Sequence, residues 1–336
     1  MMEILKMIEP EPALRWKLVV NLEGKSEDSR EAREASLAVS CSEIVRTLLS
    51  ERNEAGKIPR HPYSKWTGAH WVLSLLADLG YPKGDETLKP LMEQVYDWLL
   101  GDSHTRRIKA IQGRTRRCAS QEGNALWYSL KLGLADERSL ELARRLISWQ
   151  WPDGGWNCDK RPEAVNSSYH ESLIPLRALI LYEQITGDPE ARRAKEHAQE
   201  LFLKRRLFQR QKDGQVMDER FLLLHYPPFW HYDILSALKV FGEAGRLDDP
   251  RLRPALDILE EKRLPDEGFP AEEYFFHQRQ PTLSGYSTVN WGKSGQRGGK
   301  VRTSNVFVTA DALFVLKRAG REKSSLEMSP NQARKK

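Results

Sequence analysis

Cysteine is scarce. The 336 residues hold three, Cys41, Cys118 and Cys158, too few and too scattered for a disulfide framework. Long apolar runs are also missing: none reaches the roughly 18 residues that a helical membrane span needs. No charged–apolar–small leader opens the chain, so a cytoplasmic location is the expectation. A complete phosphate-binding glycine loop is absent. Gly292-Lys293-Ser294 has Ser287 where a P-loop would place its upstream glycine. No nucleic-acid-binding module appears. The net charge of +6 collects in short runs such as Thr105-Arg106-Arg107-Ile108-Lys109 and Gly113-Arg114-Thr115-Arg116-Arg117. Such runs read as a solvated face, and nucleic acid is not an expected partner.

What the sequence has is repetition. Apolar segments close on Gly80, Gly133, Gly187, Gly242 and Gly320, at spacings of 53, 54, 55 and then 78 residues. Each is paired with a more polar segment: 37–50, 88–100, 138–150, 190–206 and 251–263. Helical hairpins of this length cannot bury their own faces and must stack on one another. The apolar set predicts an inner layer and the Lys-, Arg- and Glu-rich set an outer one. The expectation is an all-α fold, an α/α toroid of about five helical hairpin repeats; an open helical solenoid is the alternative. Residues 1–36 read as an N-terminal helical extension and 37–322 as the repeat body, with a long loop over 270–304. Residues 323–336 read as a disordered basic tail.

One repeat boundary carries a fuller motif. Ala143-Arg144, Leu146-Ile147, Gln150, Gly154 and Trp156 surround a Pro152-Asp153-Gly154-Gly155 turn. Proline stops the helix, the glycines supply the turn, and Gln150 and Trp156 are placed to cover the open helix end. This stretch resembles the QW repeat of squalene-hopene cyclases, a repeat family that includes the β-subunits of protein prenyltransferases. The resemblance implies an α/α toroid and a prenyl, terpenoid or similar apolar-anionic small-molecule ligand. It does not carry the cyclase acids across. Neither Asp-x-Asp-Asp nor Asp-Asp-x-x-Asp occurs, and Asp248-Asp249 stands in a turn sequence. The Zn²⁺ of the prenyltransferases, held by Asp-x-Cys and a distant His, is not matched either: Trp156 stands two residues before Cys158.

The inner helices of such an array start at one face, where free N–H groups and the helix dipole favour an anion. The residues at these starts are polar for an apolar layer. His70, Glu122, His170, Glu171, His231 and Asp233 are the acid–base candidates. Trp66, Tyr169, Trp230 and Tyr232 are the candidate substrate-binding aromatics. Cys158, Asp159 and His170 offer a thiolate, a carboxylate and an imidazole to Zn²⁺, though their spacing fits no compact zinc signature. Each residue also has a plain reading as a helix cap or a core side chain. Two further functions stay open: a non-catalytic toroid that binds a ligand or protein, and a carbohydrate-active toroid built on paired carboxylates.

Overall fold

The computed structural model describes residues 11–278, 284–292 and 303–321. The tail 323–336, and Lys293 and Ser294 of the long loop, lie outside the described residues. The chain is predominantly helical, with 53% helix and 4% strand. In chain order the elements begin with α1 (Pro12–Lys17), which runs on into a wider turn over Leu18–Leu22, then α2 (Arg30–Ser40), α3 (Glu43–Leu49), α4 (Ala69–Leu79), α5 (Lys89–Leu100) and α6 (Asp102–Thr105). A short antiparallel ribbon follows, β1 (Lys109–Ile111) and β2 (Arg114–Arg116), then α7 (Ala119–Lys131), α8 (Glu137–Trp149), α9 (Tyr169–Thr186) and α10 (Pro189–Leu203). The last helices are α11 (Ile234–Glu243), α12 (Arg253–Glu261) and α13 (Val306–Arg318).

Local chemistry sets these boundaries. Ser29, Ser42, Asp136, Asp188, Asp233 and Asn305 each accept a backbone N–H in the first turn of α2, α3, α8, α10, α11 and α13. The apolar helices are buried almost all round: in α4 every residue but Ser74 is buried. The polar helices bury one stripe, as in α8, where Leu142, Ala143, Leu146 and Trp149 recur at helical spacing.

Packing follows sequence order. α1 packs on α4, α4 on α7, α7 on α9, α9 on α11, α11 on α13, and α13 packs back on α1. The segment expected as an N-terminal extension thus completes this succession. Trp16 lies where a side chain at Gly80 would be; a Cβ there would sit 2.1 Å from the indole. Gly80 also holds φ 81° at the end of α4, which glycine adopts without strain. Gly242 departs from the expected pattern. It lies inside α11 rather than ending it, and faces Phe314 of α13, while Gly245 takes the left-handed turn beyond the helix.

The Gln150–Trp156 turn binds two repeats together. The Trp156 indole N–H donates to the Leu146 carbonyl at 2.9 Å, closing the end of α8. Gln150 Nε2 donates to Gly154 within the turn and to Ala194 of α10, both at 2.8 Å. The short ribbon was not apparent in the sequence, and Arg116 within it is not solvated surface. It is 1% exposed, lies 4.4 Å from the Trp151 ring, and donates to the carbonyls of Asp159 and Ala164.

Candidate functional site

An ionic network occupies the centre of the helix succession. Lys17 Nζ lies 3.0 Å from Asp78 and 2.9 Å from Asp311; Lys239 Nζ lies 2.9 Å from Asp78 and 3.0 Å from Asp311. The four groups form a closed square of alternating charge contributed by α1, α4, α11 and α13. Arg177 of α9 joins Asp78 at 3.4 Å and Glu243 at 2.6 Å, and the Tyr226 hydroxyl donates to Asp78 at 3.0 Å. Burial alone would raise the Asp78 pKa, but Lys17, Lys239 and Arg177 hold it well below the usual carboxylate range.

Two cavities meet this network. One, of about 60 Å³, is bounded by early residues of the inner helices, such as Ser74, Asn124 and Ser236, and by the loop carrying His225, Tyr226 and Phe229. The other, of about 460 Å³, is bounded by late residues such as Lys131, Gln184 and Arg318. Asp78, Trp127, Arg177 and Lys239 border both.

The smaller cavity has a chemically organised wall. Asp233, the N-cap of α11, accepts from Ser236 N at 2.6 Å through Oδ1. Its Oδ2 accepts from His225 N at 3.0 Å and lies 2.8 Å from His225 Nδ1. Both residues are buried. Burial opposes the charge on each, yet the pair outweighs it: the His225 pKa is raised and the Asp233 pKa lowered. His225 Nε2 is buried without a hydrogen-bond partner among the described residues. A carboxylate that fixes one imidazole nitrogen and leaves the other free is the geometry of an oriented general acid or base.

The sequence-derived candidates divide among separate surroundings rather than one mouth. His231 borders the small cavity, stacked between Trp230 and Phe275 at 4.0 and 3.4 Å; burial, then His225 and His170, push it down to about 2. His70 is fully buried beside Tyr128 Oη at 3.2 Å and Asn124 at 3.4 Å, and burial pushes it down to about 3. His170 accepts from Tyr232 N at 3.0 Å; burial, then Arg220, push it down to about 4. Glu122 lies under a different pocket, of about 420 Å³, with its Oε1 2.8 Å from His104 Nε2 and Arg117 against the His104 ring. Glu171 Oε2 accepts from Ser120 N at 3.1 Å, and its Oε1 lies 3.6 Å from Cys158 Sγ.

The aromatic candidates mostly engage neighbouring rings and backbone carbonyls. Tyr169 packs on Phe202 and Phe221, and the Tyr232 hydroxyl donates to Leu207 O at 2.6 Å. Trp66 stacks on Phe229 at 3.8 Å and donates to Phe275 O. Trp230 is half-buried, with Lys65 5.0 Å from its ring. The zinc candidates do not assemble as a set. Asp159 is paired with Arg161 at 2.5 Å, and His170 Nδ1 is occupied by Tyr232 N. Cys158 instead meets Cys118 and Glu171, with their donor atoms all within 4.8 Å of one another.

His225, His104, Lys17, Asp78, Arg177 and Lys239 were not singled out from the sequence. His225 and His104 lie outside the apolar helices, where periodicity gives no address. The central ions did leave a signal: Asp78, Arg177, Lys239 and Asp311 are each flanked on both sides by apolar residues within their helices. Among the described residues no helix is long and apolar enough to cross a membrane. Set against known protein families and curated proteins, the chain matches no family model and no curated sequence.

Proposed function

We propose that the inner helices close into an α/α toroid and that the chain is a terpenoid cyclase- or prenyltransferase-like protein, taking the reacting end of a prenyl, terpenoid or similar apolar-anionic substrate into the small cavity. The observation that carries this reading is the buried His225–Asp233 pair: His225 lines the small cavity, and its Nε2 has no hydrogen-bond partner among the described residues. In this reading protonated His225 donates a proton through Nε2 to an alkene, and Asp233 remains ionised and steadies the imidazole. Trp127, Tyr226 and Phe229 line the same cavity; Arg177 lies 3.8 Å from the Trp127 ring, and Phe229 stacks on Trp66. The His225–Asp233 pair would replace the missing Asp-x-Asp-Asp acid.

The volume favours one second reading. A cavity of about 60 Å³ has room for only a few heavy atoms, and ions fill the space beside it. This suits a non-catalytic toroid that binds a ligand elsewhere on its surface. The test is incubation of the full chain with farnesyl diphosphate and farnesol, followed by melting temperature and product analysis, for wild type, His225→Gln and Asp233→Asn. The enzyme reading expects ligand-induced stabilisation and product in wild type, and retained stabilisation without product in His225→Gln. Stabilisation without product in wild type supports the binding reading. No stabilisation and no product removes the prenyl assignment.

A further inference from the structure

We propose that Cys118, Cys158 and Glu171 form a zinc site, a donor set that differs from the Asp-x-Cys-and-His set of the prenyltransferases. The three side chains arrive from separate elements. Cys118 is the N-cap residue of α7, Cys158 follows the Gln150–Trp156 turn by two residues, and Glu171 is the third residue of α9. Their donor atoms lie within 4.8 Å of one another. Tetrahedral zinc with Zn–S bonds of about 2.3 Å sets its sulfurs roughly 3.8 Å apart. An ion therefore has to draw this cluster in by only about 1 Å, within the reach of rotamer adjustment.

The surroundings fit the same chemistry. Two thiolates and one carboxylate select a borderline-soft divalent ion over Mg²⁺ or Ca²⁺. Cys118 stands at the start of α7, a helix of 13 residues, and its side chain makes no capping bond there. Glu171 is already aimed: Ser120 N holds its Oε2 and leaves Oε1 toward Cys158. Cys118 and Cys158 are both partly exposed. Arg117 and Gln121, on either side of Cys118, line the pocket of about 420 Å³. Three protein donors leave the fourth position of a tetrahedral ion to water or another group. The site stands independently of the reading of the small cavity.

The test uses the full chain, reduced and stripped with a chelator, then titrated with Co²⁺. Wild type and Cys41→Ser are expected to bind one Co²⁺ per chain with thiolate-to-cobalt charge-transfer absorption, and Zn²⁺ is expected to displace it. Cys118→Ser and Cys158→Ser should lose at least about tenfold in affinity, and Glu171→Gln should weaken binding less. A second measurement needs no variant: Zn²⁺ should protect Cys118 and Cys158, but not the exposed Cys41, from iodoacetamide. The proposal is overturned if reduced wild type binds no Co²⁺ at micromolar concentration, if Cys118→Ser binds as wild type does, or if Zn²⁺ protects neither thiol. It is equally overturned if the native protein carries a Cys118–Cys158 disulfide and no metal.

Discussion

His70 is fully buried among Tyr63, Trp71, Trp98 and Tyr128, and burial pushes its imidazole down to about 3 from an ordinary 6.5. The folded chain therefore resists a proton that the unfolded chain accepts. Between those two values the unfolded state binds more protons, so stability is intact above about pH 6.5 and is lost as pH falls toward 3. The shift corresponds to a difference on the order of 5 kcal/mol across that window. Replacing His70 by Gln should cost stability at pH 7 yet flatten the decline between pH 6.5 and 4, measured by urea unfolding at each pH. A variant whose acid limb runs parallel to wild type removes His70 from this role. Trp156 acts through packing instead. It is 1% exposed and its N–H serves the Leu146 carbonyl. Trp156→Ala should cost about 3–5 kcal/mol, while Trp156→Phe, which keeps a ring, should cost less. Equal melting temperatures for Trp156→Ala and wild type would contradict this assignment.

At the scale of elements, α7 and α9 meet backbone to backbone at Gly123. Gly123 sits inside α7, where glycine costs helix stability of about 1 kcal/mol relative to alanine. The reason is contact: a Cβ at Gly123 would lie 2.9 Å from the backbone of Pro175 in α9. Gly123→Ala therefore gains propensity and meets an overlap with backbone that cannot move freely. The overlap should win, with a net loss of about 1–2 kcal/mol in chemical denaturation; a gain in stability would mean the two helices slide apart at little cost. Contacts of this kind explain what the sequence discloses. Helical spacing and the glycines 53 to 55 residues apart announce the apolar helices, because burial and turn geometry act within a few residues. The His225–Asp233 pair was half legible. Asp233 stands at a helix start, where caps are expected, but His225 reaches it from an irregular segment eight residues earlier. Cys118 and Glu171 are 53 residues apart and meet only because α7 and α9 are neighbours.

For the whole molecule, the central ions are the point where distant parts of the chain depend on one another. Lys17 and Asp311 are 294 residues apart, and with Asp78 and Lys239 they close the square that joins the first inner helix to the last. With Arg177 and Glu243 included, three cations face three carboxylates, so the buried group is neutral as a whole. Removing one member leaves an uncompensated charge where water is scarce, which typically costs about 3–5 kcal/mol. Asp311→Asn is expected to lower stability by that amount, since Lys17 and Lys239 would then share Asp78. The interaction is internal, so wild-type stability should change little between low and high salt, unlike that of an exposed ion pair. A double-mutant cycle separates this from simple loss of packing. Lys17→Met and Asp311→Leu should each be strongly destabilising, and together should cost clearly less than their sum, because the pair leaves no orphan charge. Strict additivity, or an Asp311→Asn variant that unfolds at the wild-type urea midpoint, would show that the square does not tie α1 to α13.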